Sequence, residues 1–225
     1  MKNSLKILIY IMLLSISTVA CGGVKSMEDI KKENLKYLEE KYGEEFEEKY
    51  GEGSNYEEMG FYKKGTNPET DVARLFRKVE NGKLVMKDNY YGILVREEYE
   101  GIVSKEVEKV FGTNKVYMNG GFYGSWFPDN FKKEIKYYDA LKQKEIIGSV
   151  VIYIENQDNN KISKEKVEKM NELLREKQID GGYLIVLMKD NHLKNLTREN
   201  HWDYTADDVY GTYEKVVYDS ISQRL

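Results

Sequence analysis

Apolar residues recur at helical spacing in four stretches of this chain and at strand spacing in several shorter ones. Ser26, with Asp29 three residues on, reads as a helix start. Met27, Ile30, Leu35, Leu38 and Tyr42 then mark one face of that helix, and Gly43 stops it. From Phe46 to Met86 the punctuation is β-like. Met59 to Lys63 predicts a short strand, Thr66-Asn67-Pro68-Glu69 a turn, and Val72 to Val79 a second strand. Asn81-Gly82 is a hairpin signal, with Lys83 to Met86 as the returning strand. Asn89 opens a second helix, whose stripe runs from Tyr91 through Val95, Val103 and Val107 to Phe111, before Gly112.

After a strand at Val116 to Met118, a loop over 120–129 is rich in glycine and aromatic residues. Phe131, Ile135, Tyr138 and Leu141 predict a third helix. Ser149 to Glu155 reads as a buried strand, followed by a polar turn over 156–161 and a Ser163 cap. Val167, Met170, Leu173 and Leu174 mark a fourth helix, which Gly181-Gly182 breaks before an apolar strand from Tyr183 to Met188. The segment 207–220 fits either helix or strand. The hexapeptide Glu39-Glu40-Lys41-Tyr42-Gly43-Glu44 returns at 47–52, but one repetition at an offset of eight is not a solenoid.

The pattern predicts an α+β chain. A short antiparallel sheet with packed helices occupies the N-terminal half, and a strand–helix–strand unit the C-terminal half. Two organisations fit. One has subregions at 27–118 and 145–225 joined by the aromatic loop and a connecting helix over 119–144. The other is a single fold over 27–225.

Composition narrows the function classes. Hydrophobic residues make up 40% and aromatic residues 12%, which is a folding composition. Charges are nearly balanced, 35 basic against 39 acidic with a net of −4, so no basic field marks a nucleic-acid binder. A single cysteine excludes an internal disulfide and a cysteine-cluster zinc site.

That cysteine carries the clearest functional signal. Lys2 and Lys6 precede an apolar run from Ile7 to Ala20, which ends in Ser17-Thr18-Val19-Ala20 directly before Cys21. This arrangement resembles a bacterial lipoprotein signal, with Thr18 where that family usually has Leu. The resemblance implies cleavage of residues 1–20 and lipid on Cys21, with residues 21–26 as a tether. Two or more acyl chains give stable membrane attachment, which implies a protein lipid-anchored at the cell membrane and facing outward. Removal of Lys2 and Lys6 makes the remaining chain two units more acidic, so the anchor rather than the surface charge supplies membrane affinity. The composition, rich in Lys, Asn, Tyr and Ile, resembles that of low-GC Gram-positive proteins. The stretches Leu35–Glu48 and Asn89–Glu100 look like segments of uncharacterised lipoproteins from such bacteria, a similarity that carries no activity.

Candidate chemistry is sparse. The chain has no Gly-x-Ser-x-Gly elbow, His-Glu-x-x-His or Walker loop. His192 and His201, the only histidines, stand nine residues apart among aspartates and offer a weak metal site; no cofactor is expected. Phe122, Tyr123, Trp126 and Phe127 form the best partner-binding candidate, since flat aromatic rings stack on sugars or anchor peptides. The alternative, which the usual burial of large aromatic side chains favours, is that these rings fold back as a plug of the core between the subregions. The reading that follows is a lipid-anchored extracytoplasmic binding or interaction protein. Its partner is an envelope protein, a peptide or a glycan. The rival is a cell-envelope hydrolase using paired carboxylates.

Overall fold

A computed structural model describes residues 25–52, 57–118, 127, 131–134, 136, 148–155, 160–179, 181–189 and 191–216. Helix α1 (Met27–Tyr42) begins where the sequence places it. The Ser26 hydroxyl oxygen accepts from the Asp29 backbone N–H at 3.1 Å, satisfying one of the helix's orphan donors. Gly43, at φ 68°, adopts the left-handed conformation that closes the helix, its N–H donating to the Glu39 carbonyl at 2.8 Å.

Four antiparallel strands follow in sheet order β1-β2-β3-β4: β1 (Phe46–Glu52), β2 (Glu58–Lys63), β3 (Ala73–Glu80) and β4 (Lys83–Asp88). The Asn81-Gly82 turn takes φ of 52° and 75°, the paired positive values that fit a two-residue hairpin to the strand twist. Alternate residues Met59, Phe61, Ala73 and Leu75 face α1 and pack with Leu38, Tyr42, Phe46 and Tyr90. Edge-on ring contacts at 4.9–5.4 Å link Phe46 to Phe61, Phe46 to Tyr90 and Tyr42 to Tyr90.

Helix α2 (Tyr90–Phe111) spans both halves of the molecule. Tyr90 belongs to the first core, whereas Tyr91, Val95, Tyr99, Val103, Val107 and Phe111 belong to a second one. The helix start is held by Asp88, whose Oδ1 accepts from the Tyr90 N–H at 3.0 Å. Asn89 does not cap; its Oδ1 accepts instead from the Arg74 N–H, tying the helix entry to β3.

The second sheet runs β5-β6-β7-β8, with β5 (Asn114–Met118), β6 (Gly148–Ile154), β7 (Gly181–Met188) and β8 (Val209–Val216). β6 and β7 are parallel and joined through helix α3 (Lys164–Glu176); the other pairings are antiparallel. The fold is therefore α+β, with an antiparallel sheet and a mixed one. Sheet membership cuts the chain elsewhere than at residue 118, because β5 pairs with β6 and α2 is shared. Both faces of the second sheet are covered. Val150, Ile152, Ile154, Ile185 and Leu187 face α2 and α3, while Val151, Tyr153, Val186 and Met188 face Leu193 and Leu196 on the opposite side. Double burial explains why β6 and β7 read as continuous apolar runs.

Three details depart from the pattern or extend it. Helix α3 ends before the glycines: Gln178 at φ 58° turns the chain, and the Ile179 N–H donates to the Leu174 carbonyl at 3.0 Å. Gly181 and Gly182 lie inside β7, opposite Gly148 and Ser149. The ambiguous tail from 209 to 216 is a strand. The helix expected around 131–141 falls largely outside the described residues.

Candidate functional site

The residues that sequence reasoning marked are scattered. Cys21, Phe122, Tyr123 and Trp126 lie outside the described residues. Phe127 is in the core: its backbone N–H donates to the Asp88 carbonyl at 2.9 Å, and its ring meets Tyr91 at 5.1 Å and Phe131 at 5.3 Å. That ring serves packing in this structure rather than a partner-facing surface, because an apolar ring gains more from a formed core than from water. His192 is partly exposed and its Nδ1 lies 2.9 Å from Asp208 Oδ1. His201 is only 5% exposed and sits against Tyr117 and Tyr153. The two histidines do not meet in a ligand set, and among the described residues no three His, Cys, Asp or Glu side chains converge as a metal site would need.

His201 instead leads to a platform built across the outer face of the second sheet. The segment 193–204 is pinned there by polar contacts from two strands and a helix. Glu100, buried on α2, accepts from the Met118 N–H through Oε1 at 2.6 Å and from Arg198 Nη1 at 2.8 Å, while its Oε2 pairs with Arg198 Nη2. Two parallel N–H···O contacts make this a bidentate pair. The guanidinium also lies 5.6 Å from the Tyr117 ring centroid. Tyr117 donates its phenol hydrogen to the Leu196 carbonyl at 3.0 Å, and Lys115 Nζ donates to the Lys194 carbonyl at 3.1 Å.

Beneath the platform, Tyr153 donates to the His201 carbonyl, and His201 Nδ1 approaches the same phenol oxygen at 3.1 Å. One phenol has one hydrogen, so both contacts are satisfied when Nδ1 carries the imidazole proton. Burial, and next the nearby Arg198 charge, push His201 down to about 4, so the ring is neutral at physiological pH. Burial also holds the Tyr153 phenol well above its ordinary value. These groups are engaged with one another, which suits a rigid support.

The platform exposes large aromatic surface. Trp202, next to His201 with ring centroids 5.1 Å apart, is 48% exposed; apart from it, Tyr210 at the start of β8 is 43% exposed with Lys189 Nζ 5.9 Å from its ring. Tyr204 completes the layer, edge-on to Tyr153 at 5.9 Å. Exposed aromatic rings on a backbone held by buried polar ties provide contact area at low conformational cost. Sequence reasoning missed Glu100, Arg198, Tyr117, Trp202 and Tyr210. A tryptophan placed in the mostly polar stretch 189–208 was the signal available.

Two further recesses lie among the described residues. One, about 40 Å³ and lined by Tyr99, Val150, Asn171, Leu174 and Tyr183, has room for water but not for a substrate. The other, about 370 Å³, lies between the end of α2 and the start of α3, where Lys109, Lys161, Ser163, Lys166 and Lys169 line it. The molecule is thus an α+β protein of two sheets sharing one long helix, with an aromatic platform on the second sheet. No protein family, curated protein or solved structure matches this chain.

Proposed function

We propose that this chain is a lipid-anchored extracytoplasmic binding protein. The observation that carries the reading is the position of its one cysteine, directly after the small residues that close the N-terminal apolar run. Lipid on Cys21 would hold the folded part at the outer face of the cell membrane. The aromatic platform over 193–204 supports binding as the task. Trp202 and Tyr210 offer flat amphipathic faces of the kind that stack on sugar rings or anchor a peptide, and Arg198 is spent on Glu100 rather than aimed at a reacting atom. The aromatic residues Phe122, Tyr123 and Trp126 belong to the same proposal as a second candidate contact region.

The test has two parts. Mass analysis of the protein from a bacterial membrane fraction should find a lipid-modified Cys21 at the N-terminus. Cys21→Ser should move the protein out of that fraction; a variant that stays membrane-bound would remove the anchor reading. For binding, the protein should co-sediment with insoluble cell-wall glycan, and Trp202→Ala should weaken this at unchanged stability. Release of soluble sugar from the glycan would favour the carboxylate hydrolase instead.

A further inference from the structure

The first sheet carries an apolar end that no part of its own core uses. Val79 and Leu84 face each other across the β3–β4 hairpin, one residue pair from the Asn81-Gly82 turn. They are 66% and 39% exposed, against complete burial of Leu75 and Met59 further along the same sheet. Met27, in the first turn of α1, is 43% exposed.

These three residues lie at one end of the molecule. Arg77 on β3 donates to Asn34 at 3.0 Å and to Glu33 at 2.7 Å, which fixes the level at which α1 crosses the hairpin. Lys41 reaches Asp88 at the other end of β4, so the helix runs towards the hairpin tip as it runs towards its own N-terminus. From Asn34 to Met27 the helix advances about 10 Å. From Arg77 the strand covers about 7 Å to Val79 and about 13 Å to Asn81, where the turn begins. Met27 therefore stands at the level of the exposed hairpin pair.

The same end receives the tether. Lys25 precedes Met27 and pairs with Glu33, and Cys21 is four residues before it. Four Cα steps of about 3.8 Å limit the separation of Cys21 and Lys25 to about 15 Å, whatever path they take. The charge also fits. Arg77 pairs with Glu33 and Lys78 lies 3.5 Å from Glu80, and the first turn of α1 adds Glu28 and Asp29, yet the two stretches at this end, 25–33 and 77–83, together carry a net charge of +2 in a chain of net charge −4.

We propose that the β3–β4 hairpin tip, with Val79 and Leu84, and Met27 of α1 form a second membrane contact that inserts into the bilayer interface beside the lipid anchor. The proposal rests on lipid at Cys21, which brings this end to the membrane. Cations flanking exposed apolar side chains match an anionic headgroup layer over hydrocarbon. Contact at this end would set the protein's orientation, turning a protein on a loose tether into one with a defined outward face.

The experiment uses the full chain purified from membranes and reconstituted in vesicles of phosphatidylcholine and phosphatidylglycerol. An environment-sensitive fluorophore is attached to Val79→Cys or, as a control on an exposed position of the second half, to Lys177→Cys. If the hairpin lies about 5–10 Å into the interface, lipids with brominated acyl chains should quench the label at 79 at least about threefold more than the label at 177. Adding Leu84→Asp should abolish that difference. Equal, weak quenching at both positions, on protein that stays with the vesicles and carries lipid at Cys21, would overturn the hairpin contact and leave the anchor standing. Protein that fails to associate with vesicles and has an unmodified Cys21 would overturn both.

Discussion

Asp88 is the residue whose loss should cost this fold most. It is completely buried at the end of β4, where the sheet meets α1 and α2. Its Oδ1 accepts from the Tyr42 phenol at 2.6 Å and from the Tyr90 N–H at 3.0 Å; its Oδ2 accepts from Lys41 Nζ at 2.8 Å. The Lys41 side chain is itself almost fully enclosed. Burial, and then the Asp88 charge, hold the Tyr42 phenol far above its ordinary value, so it remains a donor at every accessible pH. Asp88→Ala leaves a buried ammonium without this carboxylate, at about 3–5 kcal/mol, and removes the acceptor at the start of α2, at about 1 kcal/mol. Against a total of about 5–15 kcal/mol for a domain, that is a large share. Urea unfolding followed by circular dichroism measures it from the midpoint and slope. Replacing both charges, as Lys41→Met with Asp88→Asn, should cost well under the sum of the two single changes, because each single change strands a buried charge and the double variant strands none. An Asp88→Ala loss below about 1 kcal/mol, or strict additivity in the double variant, would refute the reasoning.

Three further outcomes follow from the same geometry. A Cβ on Gly181 would stand 1.8 Å from the Gly148 carbonyl oxygen, and one on Gly148 would meet the Tyr99 phenol at 2.2 Å. Gly148→Ala should cost about 1–3 kcal/mol by overpacking and recover part of that with Tyr99→Leu, whereas Gly181→Ala, blocked by backbone, should not be rescued; thermal melts of the three variants decide it. Arg198→Ala strands the buried Glu100 carboxylate and should cost about 2–4 kcal/mol, and Arg198→Lys should restore little because an ammonium cannot form the bidentate pair. His201 takes up a proton in the unfolded chain near pH 6.5 but in the folded protein only near pH 4. Stability is therefore full above about pH 7 and falls as pH drops from 6.5 towards 4, by roughly 2–3 kcal/mol in all; urea midpoints across that window should show the decline in wild type and a flatter one in His201→Gln.

Much of the secondary structure was legible because it depends on neighbours in the chain. The Ser26 cap, the Gly43 stop and the Asn81-Gly82 hairpin are local devices, each satisfying backbone groups within a few residues. The apolar runs at β6 and β7 were equally plain. The site was not legible. Glu100 and Arg198 are 98 residues apart, and Lys41 and Asp88 are 47 apart; in isolation each is one charge among many. Neither histidine's surroundings could be read from its neighbours, since His201 is defined by Tyr117 and Tyr153 on two other strands.

The repeated hexapeptide marks the division between the two kinds of information. Glu-Glu-Lys-Tyr-Gly-Glu at 39–44 forms the last turn and cap of α1, and the same six residues at 47–52 lie within β1. The first copy is preceded by a capped, periodic helix that its Gly43 closes. The second copy has no such start, and it is held extended by pairing with β2, where Tyr50 stands opposite Gly60 and its ring fills the space a side chain there would need. The sequence by itself determined the Ser26 and Ser163 caps, the Gly43 stop and the Asn81-Gly82 hairpin, because those act through adjacent residues. Only the tertiary structure decided which copy became a strand, which charges were buried together and which aromatic rings faced outward, because burial and sheet pairing are set by residues far apart in the chain.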